Sequence, residues 1–224
     1  MKTDGILLDL DGTLWDAVEG VLVAWNEVIV RHPGLRPPLT AEELRGYMGL
    51  PMDEIARRMF PRQTEGEQAQ LMDACCQREH EYLAVHGGRV FDGVEQTLAQ
   101  LSRRFPLCIV SNCEDGYIQC FLQVTGLGKY ITDFESFGAT GLSKGENIQL
   151  VARRNGLQAP IYVGDTAGDQ QAARQAGVPF VFAQYGFGQA HQPDHTIGSM
   201  ADLPGLLHEK PQKKEGKKDP ARLK

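Results

Sequence analysis

Apolar residues along this chain fall into two patterns. Short uninterrupted runs occupy residues 5–8, 107–110, 161–163 and 180–183, each bounded by polar, glycine or proline positions, with a weaker run at 134–137. Runs of this length, apolar at consecutive positions, predict strands buried on both faces of a parallel sheet. Between them, residues 94–103, 117–124, 146–154 and 169–176 carry apolar positions at helical spacing, and Gly156 and Gly177 supply stop signals. Strands alternating with helices predict an α/β fold with a doubly wound parallel sheet.

Residues 15–88 break that rhythm. They carry helical patterns at 18–30, 41–47, 52–59 and 65–85 and no convincing strand, which predicts an all-helical insertion directly after the first strand. The expected division is an α/β core of residues 1–14 and 89–208, a helical cap of residues 15–88, and a tail at 209–224 that is basic, nearly free of apolar residues and predicted to be disordered. His86-Gly87-Gly88 is a candidate hinge at the return to the core, and Phe91-Asp92-Gly93 leads into the next helix.

Composition narrows the partners. At 224 residues, 42% of them hydrophobic, the chain can bury a substantial core. Its net charge of -6 argues against a nucleic-acid partner, which calls for a basic surface. Five cysteines without CxxC spacing read as reduced thiols. Met1-Lys2-Thr3-Asp4 leads straight into the first apolar run without a signal-peptide pattern, and no run is long enough to span a bilayer, so a cytoplasmic protein without membrane contact is expected.

The chemistry concentrates where strands end. The first run closes in Asp9-Leu10-Asp11-Gly12-Thr13, the second in Ser111-Asn112, and a later one in Gly164-Asp165-Thr166-Ala167-Gly168-Asp169, with Ser143-Lys144-Gly145 placed before a helix start. Ligands of open α/β sheets bind beyond these carboxyl ends. Four aspartates sharing one site there would need a cation, and an all-oxygen donor set favours Mg²⁺, which also bridges to phosphate. Taken singly, Asp11-Gly12 reads as a turn and Lys144 as a solvated lysine; their order and placement at strand ends carry the inference.

These four segments resemble the four motifs of the haloacid dehalogenase superfamily, in the group with a helical cap after the first strand. The likeness spans nearly the whole chain apart from the tail and is strongest to phosphoglycolate phosphatases. It implies Asp9 as the nucleophile that attacks phosphorus to form an aspartyl-phosphate, and Asp11 as general acid, then base. Strand alternation points both to one side. It further implies that Ser111, the Asn112 backbone, Gly12 and Thr13 hold the phosphate while Lys144 offsets its charge. Asp9, Asp165 and the Asp11 carbonyl would ligate Mg²⁺, with Asp169 acting through water or from behind the direct ligands. Gly46 to Pro51, "GYMGLP", occupies the place of a substrate-facing cap loop. The preceding Arg45 is a candidate for a substrate carboxylate and equally a solvated helix residue.

The implied activity is a Mg²⁺-dependent phosphatase acting on a small phosphorylated metabolite. One rival is a phosphomutase of the β-phosphoglucomutase type, whose cap-hinge histidine is here Val21. Haloacid dehalogenases lack the second aspartate that Asp11 supplies. A regulatory binding protein on the same fold is the rival of another class. Cys113 reads best as a small buried hydrophobe, and Tyr185 to Gly188 as a turn bordering the site.

Overall fold

In a computed structural model, residues 1–209 are described. Six parallel strands form the central sheet in the order β6-β5-β2-β7-β8-β9: β2 (Gly5–Leu8), β5 (Leu107–Ser111), β6 (Asp133–Ser136), β7 (Pro160–Gly164), β8 (Phe180–Ala183) and β9 (His195–Ile197). Helices α5 (Val94–Leu101), α6 (Tyr117–Thr125), α7 (Phe137–Thr140), α8 (Lys144–Arg154), α9 (Ala167–Ala176) and α10 (Leu203–Leu206) belong to the same α/β layer system.

The consecutive apolar residues of the strands are explained by two separate cores. Ile6, Leu8, Leu107, Ile109, Ile161, Val163, Val181 and Ala183 pack on one face of the sheet. The alternate residues Leu7, Cys108, Val110, Tyr162, Phe180 and Phe182 pack on the other, against Ile148 and Val151 of α8 and Ala172 and Ala173 of α9. Alternation along each strand thus feeds both cores, so no polar face is left.

The first of these cores continues into four further helices, α1 (Val18–Val30), α2 (Ala41–Arg45), α3 (Met52–Met59) and α4 (Glu65–His86). Helix α4 packs along α1 and α3 and also against α6 of the sheet layer. Capping boxes at Thr40 and Thr64 start α2 and α4. The two chain passages between these helices and the sheet pair as a short antiparallel ribbon, β3 (Trp15–Asp16) with β4 (Arg89–Val90). Trp15 is fully buried there and meets Tyr117 and Phe121 edge-on at 5.7 and 5.0 Å. A side chain on Gly88 would strike that indole at 2.8 Å.

Several elements depart from the sequence reading. The ribbon puts Trp15–Asp16 in a strand inside the segment read as wholly helical; two residues carry no periodicity to detect. Strand β6 sits one residue earlier than expected, and β9 was not expected, since it is a short edge strand with two exposed residues. Glu209, assigned to the tail, has its backbone paired with Thr3 in a two-residue parallel contact between β1 (Lys2–Thr3) and β10 (His208–Glu209). The rest of the tail, and its predicted disorder, lie outside the described residues.

Candidate active site

The carboxyl ends of β2, β5 and β7 converge beneath the helical segment. Asp9 leaves β2 with its N–H donating to the Val163 carbonyl of β7 at 2.8 Å, and the residue is 3% exposed. Lys144 is the first residue of α8, whose start is fixed by a Ser143–Glu146 capping box. That start aims its ammonium inward, where Nζ donates to Asp9 Oδ1 at 2.8 Å and to Asp169 Oδ1 at 2.6 Å. The second Asp9 oxygen takes no hydrogen bond from the described residues, and Asp9 lines a cavity that opens toward the helices.

Asp165 and Asp169 share a turn but are held differently. The two oxygens of Asp169 accept five hydrogen bonds, from Lys144, the Tyr162 hydroxyl, the Asp165 and Thr166 amides and the Thr166 hydroxyl. It doubles as the third residue of the capping box that opens α9. Asp165 accepts at Oδ2 from the Phe187 amide at 2.7 Å, and its Oδ1 is buried with no hydrogen-bond partner among the described residues. A buried carboxylate oxygen without a donor is costly unless a cation meets it. Carboxylate oxygens of Asp9, Asp165 and Asp169 lie within 4.8 Å of one another, with one lysine among them. The residues therefore fit a divalent cation that Asp9 and Asp165 could hold, with Asp169 already engaged by five hydrogen bonds.

Glycines make this packing possible. Gly12 has φ +82°, and a Cβ there would lie 2.2 Å from Asp165 Oδ2. At Gly186 a Cβ would fall 2.3 Å from Asp165 Cβ and 2.4 Å from the Gly12 carbonyl. The Gly12 conformation therefore makes room for the neighbouring aspartate, besides letting the backbone turn.

Burial governs the protonation of the carboxyls. It pushes Asp9 well above the usual carboxylate range, reinforced by the charge of Asp169 and opposed by Lys144. Asp11 is raised to about 6 by burial, with the Tyr117 hydroxyl, which donates to Oδ1 at 2.8 Å, pulling the other way. Asp165 is raised to about 7 by burial and then by Asp169. Burial alone would lower Lys144, but Asp169 and Asp9 outweigh it and hold the ammonium charged.

Other expected residues are distributed unevenly. Ser111 is buried at the end of β5, lines the cavity, and accepts the Cys113 amide at 3.3 Å. Asn112 also lines it, and its side chain donates to the Gly49 carbonyl at 2.9 Å, tying the 46–51 loop to the sheet. Thr13 is fully buried off the cavity, its hydroxyl without a partner among the described residues and its carbonyl accepting from Tyr185. Arg45 is exposed and does not line the cavity, because its neighbour Leu44 takes the inward position on α2. Val21 and Cys113 line the cavity, and Phe187 anchors Asp165.

Among the cavity residues not singled out from the sequence, two are ionisable, Tyr117 and Glu79. Tyr117 opens a helix and reads as one more apolar position. Glu79 could have been found: it falls on the buried stripe Met72, Cys75, Cys76, Glu79 and Leu83 of α4, where a charge is out of place.

The family described as haloacid dehalogenase-like hydrolase matches residues 6–183. The chain belongs to this family. Among its relatives, this hydrolase is 29% identical over 214 residues to a plasmid-encoded phosphoglycolate phosphatase of Cupriavidus necator, covering 90% of this chain and 92% of the relative. It is 28% identical over 247 residues to the phosphoglycolate phosphatase of Escherichia coli K12, covering 96% and 97%. A haloacid dehalogenase-like family hydrolase from Streptococcus pneumoniae shares its fold with a TM-score of 0.79 at 20% identity, over 91% of this chain and 97% of that one. Among the described residues of this hydrolase, no helix is long and apolar enough to cross a membrane.

Proposed function

We propose that this hydrolase is a metal-dependent phosphatase that cleaves small phosphate monoesters through an aspartyl-phosphate on Asp9. The observation that carries the reading is the buried Asp165 Oδ1, without a partner among the described residues, beside Asp9 and Lys144: three carboxylates against one ammonium form a socket for a divalent cation and a phosphate. A cation held by Asp9, Asp165 and the Asp11 carbonyl, with Mg²⁺ the best match to an all-oxygen set, would neutralise phosphate charge.

The protein's own groups account for the remaining roles. Lys144 fixes one oxygen of Asp9, so the other presents a lone pair toward the cavity. Ser111 and the Asn112 backbone, at the adjacent strand end, are placed to hold the phosphoryl oxygens. Asp11, raised to about 6, keeps a usable proton near neutrality and can give it to the departing alkoxide; the Tyr117 hydroxyl holds one of its oxygens. Once ionised, Asp11 can take a proton from water attacking the aspartyl-phosphate. The 46–51 loop, tied to Asn112, closes the cavity against bulk water. Val21 offers no proton-transfer group, which disfavours a mutase acting from that position.

The test is phosphate release from p-nitrophenyl phosphate with Mg²⁺, after chelation, and with Ca²⁺ in its place, together with hydroxylamine trapping of the acyl-phosphate at Asp9. Activity is expected with Mg²⁺ alone. Full turnover after exhaustive chelation would refute the metal, and trapping elsewhere would refute Asp9.

A further inference from the structure

The wall of the cavity opposite the catalytic aspartates has its own chemistry. It is built from α1 to α4 and the 46–51 loop, with Trp25, Leu44, Met52 and Ile55 among its apolar residues, and the cavity has a volume of about 40 Å³. Among the described residues, no lysine, arginine or histidine lines it. The nearby ammonium, Lys144, is 6% exposed and already shared between Asp9 and Asp169. Arg45, the one basic residue expected here, is exposed outside the cavity.

One acid stands in that apolar wall. Glu79 is 2% exposed, and its Oε2 accepts the Trp25 indole N–H in a short hydrogen bond. No described residue donates to its Oε1, and Glu79 itself lines the cavity. Asp9 and Asp11 are the other acids facing the same space.

From this arrangement we infer that the site selects phosphate esters whose organic part is uncharged, apolar along its stem and ends in a hydroxyl that pairs with Glu79, and that it excludes esters whose organic part carries a carboxylate. The inference rests on the phosphatase reading above and adds the substrate class to it. It separates this chain from what the names of its relatives suggest, since phosphoglycolate is itself a carboxylate. A carboxylate taken from water into this wall would meet aspartates and the phosphate's own charge, with no cationic side chain of the described residues on this wall to replace its hydration. Burial pushes the Glu79 carboxyl well above its usual range, helped by Glu114 and Asp11. A hydroxyl suits either state of Oε1, donating to it when Glu79 is ionised and accepting from it when protonated. Neither state provides the positive charge that a dry carboxylate needs.

The experiment measures kcat/KM of the Mg²⁺-loaded enzyme on matched ω-hydroxyalkyl and ω-carboxyalkyl phosphates of increasing length, phosphoglycolate being the shortest carboxylate, with methyl-terminated esters as a third series. The hydroxyl member of the best pair is expected to exceed its carboxylate by about 100-fold or more, and its methyl analogue by about 10-fold or more, because a buried polar group left unpaired rejects the analogue. Glu79→Leu should erase the hydroxyl-over-methyl preference, and Glu79→Gln, which still reaches both Trp25 and the cavity, should keep it. Phosphoglycolate turned over as well as its hydroxyl partner would overturn the inference, whether or not the Leu variant folds. An unchanged hydroxyl preference in a folded Glu79→Leu protein would overturn the role of Glu79. Absence of turnover on every ester, p-nitrophenyl phosphate included, would instead refute the phosphatase reading on which this one rests.

Discussion

The two walls of the cavity are built on opposite principles. On the sheet side, charged groups are crowded and almost fully constrained: Lys144 bridges two carboxylates, Asp169 accepts five hydrogen bonds, and Gly12 and Gly186 leave no space around Asp165 for a methyl group. On the helical side, apolar residues from several helices surround a single polar anchor, the Trp25–Glu79 pair, and one hydrogen bond, from Asn112 to Gly49, ties the loop to the sheet. The contrast separates chemistry from selection. Charges that must act within a fraction of an ångström sit on strand ends and helix starts, where backbone hydrogen bonds position them. The helical wall, which on the proposed reading would choose the organic group, is held mainly by packing, which tolerates exchange of residues of similar size.

The sharpest way to break this comparison is Asp9→Asn. Turnover should fall by about 10⁴-fold or more with the fold intact, because the amide is a poor nucleophile and removes a charge from the metal socket. Substantial activity in the folded variant would show that the rigid wall does not carry the chemistry. Asp11→Asn should slow alkyl esters by about 10²–10⁴-fold, and esters with acidic leaving groups less, as a lost general acid requires. Equal slowing across leaving groups of very different acidity would remove Asp11 from that role.

On the helical side the effects should be smaller. Asn112→Ala removes the tie to Gly49 and should raise KM about 10-fold while lowering thermal stability by only a few degrees, at roughly 2–4 °C per kcal/mol for a chain of this size. A loss of turnover as deep as that of Asp11→Asn would mean that the Asn112 side chain belongs to the catalytic wall.

The smallest effect expected is on the pH dependence of stability without metal. Asp11, Asp165 and Glu114 stand at about 6, 7 and 7 in the folded chain, each above its unfolded value near 4. The folded state binds more protons across that window, so stability should fall as pH rises from about 4 to about 7. Added Mg²⁺, which needs the ionised carboxylates, should flatten or reverse the slope near neutrality. A melting temperature of the chelated protein that climbs with pH over this range would contradict the burial assigned to these carboxyls.

Much of the fold was legible because its signals are local. Consecutive apolar residues flanked by glycine or polar positions need burial on both faces, and four of the five strand readings overlap the observed strands closely. The weaker β6 reading slipped by one residue. The helices α1 and α3 have the bounds that their spacing predicts. The ribbon of Trp15–Asp16 with Arg89–Val90 escaped notice because its two halves stand far apart in the chain and each is too short to show a period. The acidic motifs were legible for another reason: carboxylates ending buried runs violate the ordinary distribution of charge, so they stand out against the sequence around them.

The sequence by itself therefore determined the α/β alternation, the placement of Asp9, Asp11, Lys144, Asp165 and Asp169 at the ends and starts of elements, and the expectation of a cation among them, since each follows from short-range pattern and elementary electrostatics. Tertiary structure alone decided which residues of the helical segment reach those aspartates. Arg45 turned outward while Leu44 turned in, Tyr117 came to Asp11 from across the sheet layer, and Glu79 arrived from a helix about seventy residues further along the chain to face the same cavity. The physical reason is that a helix's phase and tilt are set by packing against its neighbours, so a side chain a single position along can face solvent or substrate with no local signal to tell them apart.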